Sequence, residues 1–177
     1  MDPGLLCIGP KEERNLPTLR LPLSADVPLY HSHLCDPEVT VWLEDRLQYP
    51  IGIQEIESFV MGASWARWAI EFEGRFVGMT GLEDFDPNRG LARFFIVIGD
   101  RTCWGKGLGQ AVINQVVSRG FRDRGLRKIV SNYLHPHIAS QKIHDRAKFV
   151  TEGRLRRDVW RRGDWVDTIL VSRFREE

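Results

Sequence analysis

Three glycines at alternate positions are the feature of this sequence that most suggests chemistry. Gly105, Gly107 and Gly109 surround Lys106 in the stretch DRTCWGKGLGQAV, which follows an apolar run and opens a helix-periodic one. Residues without side chains let successive backbone N–H groups point into one concavity, and the positive end of a following helix adds to the attraction for an anion. Taken alone, the stretch is interpreted either as a phosphate-binding loop, with Lys106 as a neutralising charge, or as a flexible turn before a helix.

Two familiar phosphate-binding motifs do not fit this stretch. A P-loop needs GxxxxGK followed by Ser or Thr, and residues 105–109 have neither the spacing nor the hydroxyl. A dinucleotide fingerprint needs GxGxxG after the first strand of a βαβ unit, whereas GKGLG follows the fourth predicted strand. An enzyme acting on a nucleotide phosphate or a dinucleotide is therefore the least favoured of the functions considered.

Charge distribution and cysteine content limit which kinds of ligand and which cellular compartment the sequence favours. Residues 1–100 carry 8 Lys/Arg and 16 Asp/Glu, whereas residues 101–177 carry 17 and 8. The basic half holds the glycine stretch, which favours an anionic ligand, but no dense Lys/Arg run or zinc-finger pattern indicates nucleic acid. Cys7, Cys35 and Cys103 form no CxxC pair, so we expect no metal site and no disulfide framework. A reducing cytoplasm is the predicted compartment.

The length of 177 residues suits one domain with its own core. Residues 1–15, rich in Pro, Gly and charge, are predicted to be a loose lead-in, and residues 16–177 one domain. No apolar run approaches the roughly 20 residues that span a bilayer, and the N-terminus has no secretory-signal pattern. We therefore expect no membrane partner.

Apolar periodicity predicts the elements that must position the glycine loop. Strands are predicted over 18–23, 66–72, 75–85, 91–99 and 126–134, followed by a hairpin over 154–160 and 165–174. Helices are predicted from an N-cap at Ser24 to about Cys35, after Asp36-Pro37, over 54–61, from Leu108 to about Gly125, and over 138–149. The loop therefore follows a three-stranded antiparallel meander and lies at the C-terminal end of a strand, where ligands bind in α/β sheets.

The stretch WGKGLGQAVINQVV resembles the acetyl-CoA-binding segment of the GNAT superfamily of N-acetyltransferases. The pattern [QR]-x-x-G-x-[GA] of that superfamily fits residues 104–109, with Trp104 in place of the usual Gln or Arg. The resemblance extends over about residues 16–175. It implies an α/β (α+β) GNAT fold whose mixed central sheet has about six to seven strands, mostly antiparallel, flanked by about four helices.

A second segment, residues 135–172, is similar to the branch of ribosomal-protein N-terminal acetyltransferases and its small-molecule-modifying relatives. Matching positions are Ser140, Phe149, Glu152-Gly153 and Asp167. Two positions depart from the pattern: His137 replaces the usual Asn, and Lys148 replaces the Gly before Phe149. His137 is expected to take over the pantetheine contact of that Asn, or the contact is lost. Lys148 argues against a tight glycine turn.

The resemblance implies that the chain transfers an acetyl group from acetyl-CoA, its co-substrate, to a primary amine. Its pattern implies that the backbone of residues 94–98 pairs with the pantetheine arm like an added strand. The cofactor-binding residues so implied are Phe95, Ile96, Val97, Ile98, Trp104, Gly105, Lys106, Gly107, Leu108, Gly109, Gln110, His137, Ser140 and Lys142. Lys148 is a further candidate charge for the phosphates.

Attack by an amine requires a base, and the leaving thiolate requires an acid. Glu83 and Asp84, before the turn DPNRG, are the first candidates for the base; Tyr133 and His135 are others. Each carboxylate has a second interpretation as a turn cap. For the acid, the resemblance indicates Ser140 or His144, although a polar position on the helix surface explains His144 equally simply.

Several alternatives remain open from the sequence. The acceptor is predicted to be a protein N-terminus or a small-molecule amine such as an aminoglycoside or amino sugar. The acidic first half, including Glu83, Asp84 and Asp86, favours a cationic acceptor. A non-catalytic acyl-CoA-binding or regulatory module with the same fold is the competing function, and His137 and Lys148 favour it. The oligomeric state is predicted to be a monomer or a homodimer.

Overall fold

A computed structural model describes residues 16–62 and 66–176. The predicted lead-in over 1–15, together with Cys7 and Trp65, lies outside these residues. The strands are β1 (Thr18–Arg20), β2 (Arg67–Phe72), β3 (Arg75–Asp86), β4 (Leu91–Ile98), β5 (Lys128–His135), β6 (Val150–Arg161) and β7 (Asp164–Phe174). The α-helices are α1 (Asp26–Leu34), α2 (Pro37–Thr40), α3 (Ile53–Met61), α4 (Leu108–Asp123) and α5 (Ile138–Arg146), with short 3-10 helices over Asp45–Gln48 and Arg101–Cys103.

The seven strands form one sheet in the order β1-β2-β3-β4-β5-β7-β6. Every pair is antiparallel except β4 and β5, which are parallel because α4 carries the chain across the sheet between them. The mixed, mostly antiparallel sheet predicted from the sequence is confirmed. The described residues hold five α-helices where about four were expected.

The parallel pairing of β4 and β5 is short. It runs only from Leu91 opposite Lys128 to Arg93 opposite Val130. Beyond this point β4 stays paired with β3, and β5 stays paired with β7 along its whole length. The two central strands therefore separate towards their C-terminal ends and leave a gap in the middle of the sheet.

The core has two layers because alternate residues of a strand point to opposite faces of the sheet. Ile70 packs with the buried side of α4, whereas its neighbour Ala69 packs with α1 and α3. The helix rows predicted for α4 are confirmed: its fully buried residues include Val112, Ile113 and Val116. Burying each such side chain contributes about 1.5–3 kcal/mol, so both helical layers are held firmly to the sheet that carries the gap.

The start of the chain differs from the sequence prediction. The first strand ends at Arg20 rather than Leu23, and the N-cap of α1 is Ala25, not Ser24. The buried carboxylate of Asp26 accepts a hydrogen bond from the Leu23 N–H at 2.7 Å and pairs with Arg20. The two carboxylate oxygens accept from the Leu23 N–H and from both terminal nitrogens of Arg20, so Asp26 rather than Ser24 fixes the start of the helix.

The end of α5 also differs from the prediction. The helix stops at Arg146, three residues before Phe149, and the chain turns at Lys148, whose φ is +60°. The backbone N–H of Phe149 donates to the carbonyl of His144 at 3.0 Å and closes this turn. The expectation that Lys148 removes the tight turn is therefore wrong: the lysine adopts the left-handed conformation that glycine usually takes.

None of the helices within the described part of the chain combines the length and apolar composition needed to cross a membrane.

Candidate active site

The gap between β4 and β5 opens into a cavity of about 500 Å³. The four predicted catalytic side chains, Glu83, Tyr133, Ser140 and His144, all contribute to its lining. They come from β3, β5 and α5, so the fold brings together residues that lie up to about sixty positions apart. Predicted cofactor-binding residues that also line the cavity are Phe95, Ile96, Val97 and His137. The glycine loop and Lys142 lie outside this lining.

The glycine loop has the backbone conformation that its composition suggested. Gly105 and Gly107 have φ of +76° and +84°, and α4 begins at Leu108 with Gly107 as its N-cap. The first N–H groups of an α-helix have no acceptor within the helix, and the helix dipole makes this end positive. The N-terminus of α4, a helix of 16 residues, thus presents free backbone donors to an anion.

Trp104 anchors the glycine loop to the edge of the gap. Its indole N–H donates to the carbonyl oxygen of Ile98, the last residue of β4, at 2.8 Å. The guanidinium of Arg101 lies over the same ring, 5.6 Å from its centroid. The substitution of Trp for Gln or Arg therefore adds a bond between loop and strand, which the sequence pattern did not reveal.

The lysines proposed as phosphate partners lie in different surroundings. The Lys106 ammonium is 5.9 Å from the centroid of the Phe72 ring. Lys142 is exposed on α5, close to the contact between Ile143 and Gly109 that joins α5 to α4. Lys148 pairs instead with Glu176 at 3.3 Å, at the other end of α5.

Glu83 is held at the cavity by an arginine from the neighbouring strand. Its carboxylate accepts a hydrogen bond from Arg67 at 2.8 Å and is one-third exposed. The Arg67 guanidinium also lies 4.0 Å from the centroid of the Phe59 ring. The second predicted carboxylate, Asp84, points to a different partner and pairs with Arg93 at 2.8 Å. Of the two, only Glu83 lines the cavity.

His144 is almost completely buried, with 2% of its surface exposed. The interpretation of it as a helix-surface residue is therefore wrong. Its Nδ1 lies 2.8 Å from the Ser140 carbonyl oxygen and its Nε2 lies 3.0 Å from the Ser131 hydroxyl. Its ring stacks on Tyr133 with the centroids 5.5 Å apart. Burial lowers the pKa of His144 and raises that of Tyr133, so both side chains favour their neutral forms.

His137 closes the other side of the cavity. Its ring stacks on Trp42 with centroids 4.8 Å apart and an angle of 11° between the planes. Burial, with a smaller contribution from His144, lowers the pKa of His137 to about 4. The imidazole is neutral at physiological pH, which suits a stacking position better than a charged one.

The segment carrying Trp42 is fixed by an arginine that the sequence did not indicate. Arg161, at the end of β6, is buried and donates to the carbonyl oxygens of Val41 and Leu43, both at 2.9 Å. It also pairs with Asp45 at 2.6 Å. A side chain about 120 residues away along the chain thus holds residues 41–45 in place at the edge of the cavity. No local sequence pattern predicts such a contact.

Asp158 is another lining residue that the sequence did not single out. It lies where the β6–β7 register shifts between Leu155 and Val159. The Asp167 carboxylate accepts a hydrogen bond from the Arg157 N–H at 2.8 Å within this irregular stretch. The position of Asp167 matched the sequence pattern, but its bond to the Arg157 N–H is visible only in three dimensions.

Comparison with known proteins is consistent with this geometry. Residues 18–150 match the acetyltransferase (GNAT) domain family. A prophage-derived, uncharacterized N-acetyltransferase of Bacillus subtilis is 23% identical over 93% of this chain and 78% of its own length. A spermidine N-acetyltransferase from Vibrio cholerae, solved with CoA and spermine, superposes with a TM-score of 0.79 at 20% identity, over 89% of this chain and 95% of that one. A ribosomal L7/L12 alpha-N-protein acetyltransferase, in complex with coenzyme A, superposes with a TM-score of 0.77 at 20% identity, over 90% of this chain and 94% of that one.

The chain belongs to the GNAT acetyltransferase family, since the family match spans most of its length. It is an acetyl-CoA-dependent N-acetyltransferase, as the sequence analysis predicted, with acetyl-CoA as co-substrate.

Proposed function

We propose that this acetyltransferase modifies a primary amine of a small cationic molecule that enters the cavity between β4 and β5. The observation that carries this proposal is the charge of the lining, to which Glu44, Glu83 and Asp158 contribute carboxylates from three separate elements. Of the two arginines in the lining, Arg93 pairs with Asp84 outside it, and Arg161 pairs with Asp45, a fourth carboxylate of the lining. An acceptor with more than one positive charge is therefore favoured over the other predicted acceptor, a protein N-terminus.

The proposal is supported by the spermidine acetyltransferase that superposes on this chain, which was solved with spermine. Spermine is a polyamine, and its class of acceptor fits an acidic cavity by simple charge complementarity. Aminoglycosides and amino sugars, the acceptors predicted from the sequence, share this property. We keep the predictions of a cytoplasmic protein that is a monomer or a homodimer.

In the proposed reaction acetyl-CoA lies with its pyrophosphate on the glycine loop and its pantetheine arm beside β4. The backbone amides at the N-terminus of α4 bind the phosphates, and the free edge of residues 94–98 pairs with the arm. This arrangement puts the thioester at the point where the two strands separate, close to Glu83 and Ser140. Lys106 and Lys142 are proposed to add charge around the phosphates.

Glu83 is the proposed general base, acting directly or through water on the ammonium of the acceptor. The neutral amine attacks the thioester carbonyl carbon, and backbone N–H groups at the gap stabilise the oxyanion. The carbon–sulfur bond then breaks, and the thiolate takes a proton from the Ser140 hydroxyl, which regains one from the nitrogen of the collapsing intermediate. Tyr133 is a poor base because its raised pKa keeps the phenol protonated, and it serves better as a second donor.

An acceptor screen that measures free CoA tests the proposal. We expect polyamines and aminoglycosides to release CoA with a higher kcat/KM than a neutral-side-chain peptide N-terminus. Glu83→Gln should lower kcat/KM by about 100-fold or more, the usual contribution of a general base, while the Kd of acetyl-CoA stays unchanged.

Glu71→Gln is the matched control for this variant. Glu71 also accepts a hydrogen bond from an arginine at 2.8 Å and is 35% exposed, but it lies on β2 away from the cavity. We expect its kcat/KM to stay within about threefold of wild type. Acetyl-CoA binding without CoA release from any amine would contradict the proposal and support a non-catalytic acyl-CoA-binding module. A rise in Tm with ATP or NAD and none with acetyl-CoA would contradict both.

A further inference from the structure

The point where β4 and β5 separate is bridged by a short chain of polar groups. Ser131 is the first β5 residue after the last strand pair, which is Arg93 with Val130. Its hydroxyl oxygen lies 3.2 Å from the Phe94 carbonyl oxygen on β4 and 3.0 Å from His144 Nε2 on α5. Ser131 and His144 are both buried, so these bonds form out of contact with bulk water. The chain His144–Ser131–Phe94 thus links α5 to the inner edge of the gap.

The direction of these bonds follows from the chemistry of the groups. The Ser140 carbonyl accepts only, so the proton of the neutral His144 ring must be on Nδ1, 2.8 Å from that oxygen. Nε2 then carries the lone pair and accepts from the Ser131 hydroxyl. Because Ser131 has a single hydroxyl proton, the Phe94 carbonyl does not receive it in this state.

Protonation of His144 reverses the chain. Both ring nitrogens then carry protons, so Nε2 donates to the Ser131 oxygen. The Ser131 hydroxyl then no longer donates to Nε2, and its proton points instead to the Phe94 carbonyl oxygen, 3.2 Å away. The same three groups therefore have two hydrogen-bond arrangements, which differ in whether the Phe94 carbonyl is occupied from within the protein.

The Phe94 carbonyl faces the gap, since the Ser131 side chain reaches it from β5. The next carbonyl, that of Phe95, faces the other way and accepts from the side-chain hydroxyl of Thr80 on β3 at 2.8 Å. In a strand, neighbouring residues direct their hydrogen-bonding groups to opposite sides. Phe94 is thus the first β4 residue beyond the paired stretch whose carbonyl faces β5, and with only the Ser131 hydroxyl oxygen beside it on that strand, at 3.2 Å, it can also accept from an amide N–H of the pantetheine arm.

We propose that Ser131 and His144 are positioning residues that leave both lone pairs of the Phe94 carbonyl to the acyl-CoA arm while the imidazole is neutral and compete for one of them when the imidazole is charged. This inference rests on the proposed binding of acyl-CoA along β4. It gives His144, whose two nitrogens are both engaged, a role different from that of thiolate acid. It also gives a function to Ser131, a residue that no sequence pattern singled out.

The sign of the pH dependence follows from the surroundings of His144. Burial lowers its pKa, and the rings of Phe94, Tyr133 and Phe149 enclose it. The Ser140 carbonyl and the Asp145 carboxylate raise the pKa of His144, but by less than burial lowers it. The nearby ring of His137 is itself neutral at physiological pH. The imidazole is thus neutral at neutral pH and gains its proton only as the pH falls below the usual histidine range. The affinity for acetyl-CoA should therefore fall as the pH falls.

The test compares the Kd of acetyl-CoA from neutral to acidic pH in the wild type, Ser131→Ala and Ser172→Ala. Ser172 is a fully buried serine on β7, opposite Val130, and it lies outside the cavity lining. We expect wild type and Ser172→Ala to lose about fivefold more affinity than Ser131→Ala on acidification, as for one hydrogen bond. Titration of the cofactor phosphates and of His137 is common to the three proteins and cancels in this comparison. Ser131→Thr keeps the hydroxyl, so it should lose affinity for acetyl-CoA on acidification as the wild type does.

A second measurement needs neither a variant nor the cofactor. The ¹⁵N NMR signals of the His144 ring should report a proton on Nδ1 and none on Nε2 at neutral pH. A proton on Nε2, or acid losses of equal size in wild type and Ser131→Ala, would overturn this inference and leave the proposed function intact. Failure of the wild type to bind acetyl-CoA at any pH would instead overturn the proposed function, together with this role for Phe94.

Discussion

The glycine loop and the acceptor side of the cavity are assembled from parts that lie at very different separations along the chain. The glycine loop is anchored within residues 98–110 by the short-range bond between Trp104 and Ile98, and the long-range pairs beside it, Asp100 with Arg75 and Arg101 with Asp36, are exposed. The acceptor wall joins residues 41–45 to Arg161, about 120 positions away. One region is fixed by local backbone conformation, and the other by buried contacts between distant elements.

This difference has a consequence for mutagenesis. A change in the loop should alter acetyl-CoA affinity and leave acceptor recognition intact, because the loop lies outside the cavity lining. A change at the acceptor wall should do the reverse and should also lower stability, since long-range contacts hold separate parts of the fold together. Four sets of substitutions test this separation, and those expected to change the affinity most come first.

Gly107→Val should raise the Kd of acetyl-CoA by about 100-fold, or about 2.7 kcal/mol. Gly107 has φ of +84°, which a β-branched residue adopts only with strain, so the loop should leave the conformation that makes its amides converge. The control is Gly163→Val, because Gly163 has φ of +82° and equally open surroundings in the β6–β7 turn. Calorimetric titration with acetyl-CoA measures both; equal losses in the two variants would mean that backbone strain alone lowers the affinity.

Arg161→Lys should raise the acceptor KM by about tenfold and leave the Kd of acetyl-CoA unchanged. A lysine ammonium cannot reach the carbonyls of Val41 and Leu43 in the same fork-like geometry, so the wall loosens. The free energy of unfolding should fall by about 1–3 kcal/mol because buried acceptors lose their donor. Arg122→Lys, at an exposed pair with Asp123 on α4, should change neither quantity measurably. An equal effect of Arg161→Lys on both ligands would show that the two regions are not separate.

Trp104→Phe should weaken acetyl-CoA binding by about fivefold, the effect of one lost hydrogen bond. The phenyl ring keeps the bulk but removes the indole N–H that bonds to Ile98. Acceptor KM should not change. Titration of the cofactor checks this, and a loss as large as that of Gly107→Val would show that the side chain rather than the backbone carries phosphate binding.

Lys142→Ala should raise the Kd of acetyl-CoA by about two- to threefold at low salt, and the effect should disappear at high salt. The residue is exposed, so solvent screens its charge. Lys148→Ala should have no effect, because its partner is Glu176 and not the loop. Measuring the Kd of acetyl-CoA at two salt concentrations shows which of the two lysines contributes charge to cofactor binding.

Much of the fold could be predicted because its signals are local. The alternation of apolar residues indicated the meander, and the rows of Val112 and Ile113 indicated α4, since side-chain period reflects the geometry of each element. Element ends were less predictable where a tertiary bond decides them. Asp26 sets the start of α1 through its pair with Arg20, and the turn at Lys148 forms although no glycine marks it.

The family, the glycine loop and four of the side chains that line the cavity could be inferred from the sequence alone, because these depend on residue type, spacing and local backbone conformation. The three-dimensional fold was needed to show which of the two adjacent carboxylates, Glu83 or Asp84, faces the cavity, and that His144 is buried against Ser131. It also revealed the contact of Arg161 with Val41. These features depend on how strands separate and which distant surfaces pack together, and a one-dimensional pattern carries no direct record of either.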